Sequence, residues 1–394
     1  MKDRNHLANI GLIHQVNIIE NGLIDIPMLQ VLQPDGTLHP QAELPKITQQ
    51  SALKILQTMQ YVRLLDERMV AAQRQGRISF YLACTGEEAS TVASAAALEP
   101  QDMIMSQYRE QGALAYRGFS SKDFMDQMFS NQNELNKGRQ MPIHYGSKTL
   151  NFMTISSPLG TQIPQASGYA YGQKMAGLEA VTICYFGEGA ASEGDFHAGL
   201  NMAAVLNCPA IFFCRNNGYA ISTPSEEQFK GDGIASRGIG YGVKTIRVDG
   251  NDVLAVYNAT QRARQIALEQ QCPVLIEAMT YRLAAHSTSD DPTSYRSKDE
   301  EERWQFKDPV VRFKTWMQSK GWFNEKQNQM LLEQSRQEIL QELKLAEKVP
   351  ICPIDQIIED VYDTPPWHLK AQLDNLKAHI AMYPEAYPKT SGRL

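Results

Sequence analysis

An α/β fold with a mainly parallel sheet flanked by helices is predicted by three features of this 394-residue sequence. Apolar runs such as "AVTICYF" (180–186) and "AIFFCRN" (210–216) have the length and the β-branched and aromatic content of strands buried on both faces. A segment of helix length, 193–206, separates them, so the chain reads strand, helix, strand. The alternation then repeats, because "YGVKTIRVDGND" (241–252) and "PVLIEAMTYR" (273–282) flank the helical "VLAVYNATQRARQIALEQ".

In chain order, residues 1–45 read as an irregular N-terminal arm, since Pro34, Gly36, Pro40 and Pro45 interrupt any period. Residues 46–320 read as the α/β domain, and 321–394 as a helical C-terminal extension carried by "EKQNQMLLEQSRQEILQELKLAEK". Leu53, Ile55, Leu56, Met59, Val62, Leu64, Met69 and Val70 recur at helical spacing and predict a helix over 47–75 that stops at Gly76. "TGEEASTVASAAALEP" predicts a second helix from Thr85 to the break at Pro100, and 112–129 continues the helical character up to the loop at 136–147. "TISSPLGTQIPQASGYAYGQKMAG" (154–177) reads as a loop feeding a helix of small residues. Ser192 and Asp195 stand in capping-box spacing at the start of the 193–206 helix.

The net charge of −6 gives no overall basic field for nucleic acid or anionic lipid, and no stretch has the length of a membrane span. The six cysteines form no C-x-x-C pair, and several lie in apolar strand-like runs where a reduced thiol packs as a small hydrophobe. The first residues carry no signal or transit pattern, so a cytoplasmic, reducing compartment is expected, or a mitochondrial matrix if a leader has been removed.

The chemistry-bearing pattern is an acid between two glycines after one strand, Gly187-Glu188-Gly189, and a pair of asparagines after the next, ending in Asn217. Ligands of open α/β sheets sit beyond the carboxyl ends of the strands, so both motifs reach one rim. Glu188 offers a carboxylate oxygen, Asn217 an amide oxygen and Tyr219 a backbone carbonyl, a partial oxygen shell for Mg²⁺ that phosphate oxygens and water would complete. Glycines beside Glu188 let the backbone approach a diphosphate, and the amides opening the next helix favour its charge. A dinucleotide fingerprint fails at Ser192, where a third glycine is required, and no G-K-[ST] loop occurs.

An acid between glycines followed about thirty residues later by "NN" is the thiamine diphosphate motif, and the text around it resembles the alpha subunits of branched-chain 2-oxo acid dehydrogenases. The likeness runs from about Lys46 to the tail through "GRISFY", "GEEAS", "QYREQG", "KGRQMPIHYG", "TISSPLGTQIPQA", "EAMTYR" and "HSTSDDPTSYRS". It implies the thiamine diphosphate-binding fold. It also implies oxidative decarboxylation of a branched 2-oxo acid, with the acyl group passed to a lipoyl-bearing acyltransferase, in a heterotetramer of two alpha and two beta subunits. Pyruvate and acetoin dehydrogenase alpha subunits are the second reading, and a non-catalytic scaffold of the same fold the third. The resemblance implies Mg²⁺ on Glu188, Asn217 and Tyr219, and the diphosphate near Gly187, Gly189, Ala190, Tyr108, Arg109 and Arg215. It sets Ser157 and Leu159 beside the cofactor, a potassium ion on Ser156, Pro158, Thr161 and Gln162, and His286 as the catalytic group facing the reactive carbon. Gly160 stands where the family often has alanine, and Ala285 replaces one of two adjacent family histidines. Ser287 and Ser297 match serines that are phosphorylated in mitochondrial members.

Overall fold

The structure, a computed structural model, describes Gln15 and residues 25–387. The reading of the first residues as lacking a leader falls outside the described residues. The chain enters at β1 (Met28–Leu29), then forms α1 (Gln49–Arg74), α2 (Glu88–Ala96), β2 (Met103–Met105), α3 (Gln111–Arg117), α4 (Ser121–Met128) and α5 (Gln162–Met175). The central unit follows as β3 (Thr182–Gly187), α6 (Gly194–Leu206) and β4 (Ala210–Asn216), and a short hairpin of β5 (Tyr219–Ala220) and β6 (Thr223–Pro224) comes next. Beyond α7 (Ser225–Gln228) and α8 (Ala235–Gly240) lie β7 (Lys244–Asp249), α9 (Val253–Gln270) and β8 (Val274–Met279). The C-terminal part comprises α10 (Lys298–Gln305), α11 (Pro309–Ser319), α12 (Glu325–Ala346) and α13 (Trp367–Met382).

Six strands pair in the order β1-β7-β8-β4-β3-β2, and every pairing is parallel. Alternation along each strand splits the core in two. Ile183, Tyr185, Ile211, Phe213, Val274 and Ile276 face the larger cluster, built with α1, α2, α9 and the C-terminal helices. Cys184, Phe186, Phe212, Cys214 and Leu275 face a smaller one under α5 and α6. Helices therefore cover both faces, as the apolar strand runs predict. Among the described residues no helix is long and apolar enough to cross a membrane.

Several local expectations need correction. Ser192 does not cap α6: it ends a short 3-10 turn over Ala190–Ser192, Glu193 holds the cap position, and no side-chain cap bond forms. The second helix starts at Glu88 rather than Thr85, because the Thr85 hydroxyl donates to the buried Asp66 carboxylate (2.9 Å). The stretch 112–129 is two helices interrupted at Gly118, the second with a capping box from Ser120 and Asp123. Within the stretch read as irregular, Met28–Leu29 adds a parallel strand to the sheet edge beside Arg247 and Val248. The backbone N–H groups of Val31 and Leu32 both donate to Asp252 Oδ2 at 2.6 Å.

Candidate active site

β3 and β4 are neighbours in the sheet, with Gly187 opposite Arg215, so Glu188 and Asn217 emerge side by side at the carboxyl rim. The Asn217 backbone N–H donates to Glu188 Oε2 at 3.3 Å, and the Asn217 Oδ1 accepts from the Tyr219 N–H at 3.1 Å. These residues open on a cleft of about 530 Å³. The cleft also takes in Tyr108, Arg109, Ser156, Ser157, Leu159, Gly187, Gly189, Ala190, Arg215 and His286. Gly189 is required by close approach, since a Cβ there would meet the Ala220 Cβ at 2.7 Å.

Glu188 is 1% exposed, yet its Oε1 has no hydrogen-bond partner. Burial raises its carboxyl to about 7, partly offset by backbone hydrogen bonds. An orphaned carboxylate oxygen beside an amide oxygen and a turn carbonyl is the donor chemistry of a hard cation. Among the described residues no group of three or more His, Cys, Asp or Glu side chains could hold a metal ion. A divalent ion here would therefore need ligand oxygens to complete its shell, and the residues present fit a diphosphate-bound Mg²⁺.

Arg215 is buried and already holds two carboxylates, donating from Nε to Glu110 at 2.6 Å and from Nη1 to Glu87 at 2.8 Å. Burial pushes Glu87 up, but Arg215, Arg109 and the Asn217 amide outweigh it and hold the carboxyl below its ordinary value. Arg109 donates to the Ala83 and His286 carbonyls, the latter at 2.6 Å, so it pins the loop carrying His286 from within the cleft. Tyr108 lies beneath the Arg109 guanidinium, 5.2 Å from ring centroid to the central carbon.

His286 Nδ1 faces Arg109 Nη2 at 3.3 Å and Arg282 Nη1 at 3.4 Å. Guanidiniums only donate, so Nδ1 accepts and the neutral ring carries its proton on Nε2. Burial, then Arg109 and Arg282, lower its pKa to about 4. The ring is thus a neutral donor at physiological pH. Asp290 accepts from the His286 N–H at 2.7 Å and from the Tyr295 hydroxyl at 2.6 Å, fixing the loop. Ser287 bonds Ser289 at 3.1 Å, and Ser297 caps α10 by accepting from the Glu300 N–H.

Leu159 is 43% exposed at the lip of the cleft. Ser157 shares a 2.7 Å hydrogen bond with His144 Nε2, whose Nδ1 sits 3.1 Å from the Pro142 carbonyl. The carbonyl can only accept, so His144 donates from Nδ1, and in the neutral tautomer this fixes, Nε2 accepts from the Ser157 hydroxyl. Pro158, Thr161 and Gln162 do not line the cleft, and the Gln162 amide donates inward to the Tyr185 carbonyl at 3.0 Å. Gly160 has φ +81°, a conformation in which alanine is strained, which accounts for the glycine there.

Sequence reasoning missed Glu87, Glu110, Gln107, His144 and Arg282, and the apolar wall of Phe80, Leu82, Met141, Ile143 and Ile221. Two acids inside the small-residue stretch "TGEEAS" were the available signal for Glu87, because unpaired acids are rarely buried.

Comparison with known proteins decides the family. The chain matches the family described as Dehydrogenase E1 component over residues 56–355. It belongs to that family. The mitochondrial 2-oxoisovalerate dehydrogenase subunit alpha of Caenorhabditis elegans is 52% identical over 365 residues, covering 92% of this chain and 84% of that protein. The human protein of the same name is 49% identical over 383 residues, covering 97% and 86%, and an Arabidopsis thaliana subunit alpha 1 is 48% identical over the same length. Members of that family depend on thiamine diphosphate, which makes the cleft at the rim of the sheet the candidate cofactor site.

Proposed function

We propose that this chain is the alpha subunit of a thiamine diphosphate-dependent branched-chain 2-oxo acid dehydrogenase, with 3-methyl-2-oxobutanoate among its substrates. The carrying observation is the buried, unpartnered Glu188 oxygen beside Asn217 in a cleft with an apolar wall. Glu188, Asn217 and the Tyr219 carbonyl would hold Mg²⁺, with Gly189 and Ala190 beside the diphosphate, Tyr108 and Arg109 at its flank and Leu159 against the apolar body of the cofactor. When bound, thiamine diphosphate supplies the electron sink for decarboxylation. His286 contributes a neutral Nε2–H aimed by two guanidiniums, suited to stabilising an oxygen as negative charge develops on it. Phe80, Leu82, Met141, Ile143 and Ile221 supply the apolar contacts a branched side chain needs. Potassium at Ser156, Pro158, Thr161 and Gln162 rests on resemblance alone, and comparing thermal stability of the assembled enzyme in KCl and NaCl tests it.

The names of the relatives, as alpha subunits, support a beta partner, and one face of this fold supports where it docks. The outer sides of α5 and α6 expose Tyr169, Tyr171, Met175, Met202 and Val205, the last at 68%. Gly168 and Gly172 on α5 have nothing within 4 Å of a Cβ, so another chain can come close to that helix. Both helices begin beside the cleft, α5 three residues after Leu159 and α6 directly after Glu193, so a partner seated on them would come up against the site. The mitochondrial label belongs to the relatives; the compartment of this chain is read by fractionation of the host cell.

Reconstitution tests the proposal. The chain combined with a beta subunit, thiamine diphosphate and Mg²⁺ is expected to decarboxylate 3-methyl-2-oxobutanoate with higher kcat/KM than pyruvate, and the chain alone is expected to be inactive. Preference for pyruvate would move the assignment to pyruvate dehydrogenases. Failure of the assembled complex to bind the cofactor would leave a scaffold.

A further inference from the structure

We propose that Glu87 is a positioning residue of the metal site, holding the Asn217 carboxamide in the one orientation that leaves its oxygen free to ligate. This rests on the reading of Glu188, Asn217 and Tyr219 as the metal shell. Glu87 is fully buried at the start of α2, 130 residues away in sequence, and its Oε1 accepts from Asn217 Nδ2 at 2.8 Å. Its other oxygen accepts from Arg215 Nη1 at 2.8 Å, so both oxygens are committed.

The oxygen and nitrogen of a carboxamide are alike in size, so only hydrogen-bond partners decide which way it faces. A carboxylate only accepts, which locks Nδ2 toward Glu87. The oxygen is then left on the side of the Tyr219 N–H, from which it accepts at 3.1 Å. The flipped amide would set oxygen against carboxylate and N–H against N–H. Both contacts are repulsive.

A bland role in neutralising Arg215 does not account for Glu87. Glu110 already binds the same guanidinium through Nε at 2.6 Å, and its other oxygen accepts from the Gln107 and Tyr108 N–H groups at 3.0 Å each. A second fully buried acid on one arginine is costly unless it serves another donor. That donor is Asn217. A chain of fixed contacts therefore runs from the loop carrying Tyr108 and Arg109, through Arg215 and Glu87, to the amide.

The test is Mn²⁺ binding to the assembled alpha–beta complex with thiamine diphosphate, read by electron paramagnetic resonance of free Mn²⁺. In Glu87→Gln one acceptor faces two donors, so the Mn²⁺ Kd should rise about 10- to 100-fold, the usual cost of losing an outer partner of a metal ligand. The double variant Glu87→Gln with Asn217→Asp reverses the polarity of the bond: the new amide donates to the new carboxylate, which offers oxygen in either orientation. It should recover to within about 5-fold of wild type, whereas Asn217→Asp alone sets two carboxylates face to face and should not. Should Glu87→Gln fail to assemble, the double variant is still expected to assemble and bind. Wild-type affinity in Glu87→Gln, or no recovery in the double variant, would overturn the role of Glu87 while leaving the metal site standing. Absence of Mn²⁺ binding by wild type would instead remove the metal site, and this inference with it.

Discussion

At the scale of single residues, the protonation states in the cleft set what the site can do. His286 is lowered to about 4 by burial and by Arg109 and Arg282, so it stays neutral across the physiological range. The pH profile of kcat/KM should then show no limb from this ring above about pH 5. His286→Ala should lower kcat about 10²- to 10⁴-fold with cofactor affinity changed only severalfold, as calorimetry on the assembled complex would report. A loss carried by cofactor binding instead would make His286 a binding group. The closeness of Glu188 and Asn217 was legible in the sequence because each follows a strand-like run, whereas His286 stands in a polar loop that only the family resemblance singled out. Glu87 and Glu110 were not legible, because their roles depend on partners 128 and 105 residues away, Arg215 in both cases. Only the fold brings those pairs together.

At the scale of elements, apolar runs announced β3, β4 and β8, the continued alternation of strand-like and helix-like segments announced β7 and α9, and helical spacing of apolar residues announced α1, while the stretch carrying α12 read as helical. The strands β1 and β2 are only two and three residues long, too short to express alternation, so pairing rather than pattern makes them strands. The turn from α1 into α2 depends on Asp66, which accepts from the Tyr81 hydroxyl, the Cys84 N–H and the Thr85 hydroxyl. Burial, offset in part by these bonds, raises Asp66 to about 6 from 3.8. The folded state therefore binds a proton that the unfolded carboxyl has lost. Stability from this group falls as pH rises from about 4 to about 6 and is level above. The total is on the order of 3 kcal/mol, at 1.36 kcal/mol per pKa unit. Asp66→Asn should remove this slope in urea titrations across that range. The same variant should be less stable than wild type at pH 4, because both oxygens of the protonated carboxyl can still accept from Tyr81, Cys84 and Thr85, whereas the amide nitrogen cannot accept at all.

At the scale of the whole molecule, the two faces of the sheet are unequally covered. One carries α2 and α9 with α1, α11 and α12 outside them, while α5 and α6 on the other leave Met175 and Val205 each 68% exposed. Pairing Val205→Glu with Gly172→Leu should block assembly with the beta subunit by light scattering and leave the circular dichroism of the isolated chain unchanged. Assembly at wild-type affinity would show that the partner docks elsewhere. The parallel sheet and its helical covering were foreseeable from alternation along the chain. The unequal covering was not, since exposed apolar residues on α5 and α6 have the same spacing as buried ones.

The proposed function depends on one divalent ion held between β3 and β4. Crystals of the assembled complex grown with thiamine diphosphate and Mn²⁺ should give an anomalous peak about 2.1 Å from both Glu188 Oε1 and Asn217 Oδ1, with the Tyr219 carbonyl as a third ligand. A fully bound cofactor whose diphosphate carries its ion away from these two side chains would contradict the account.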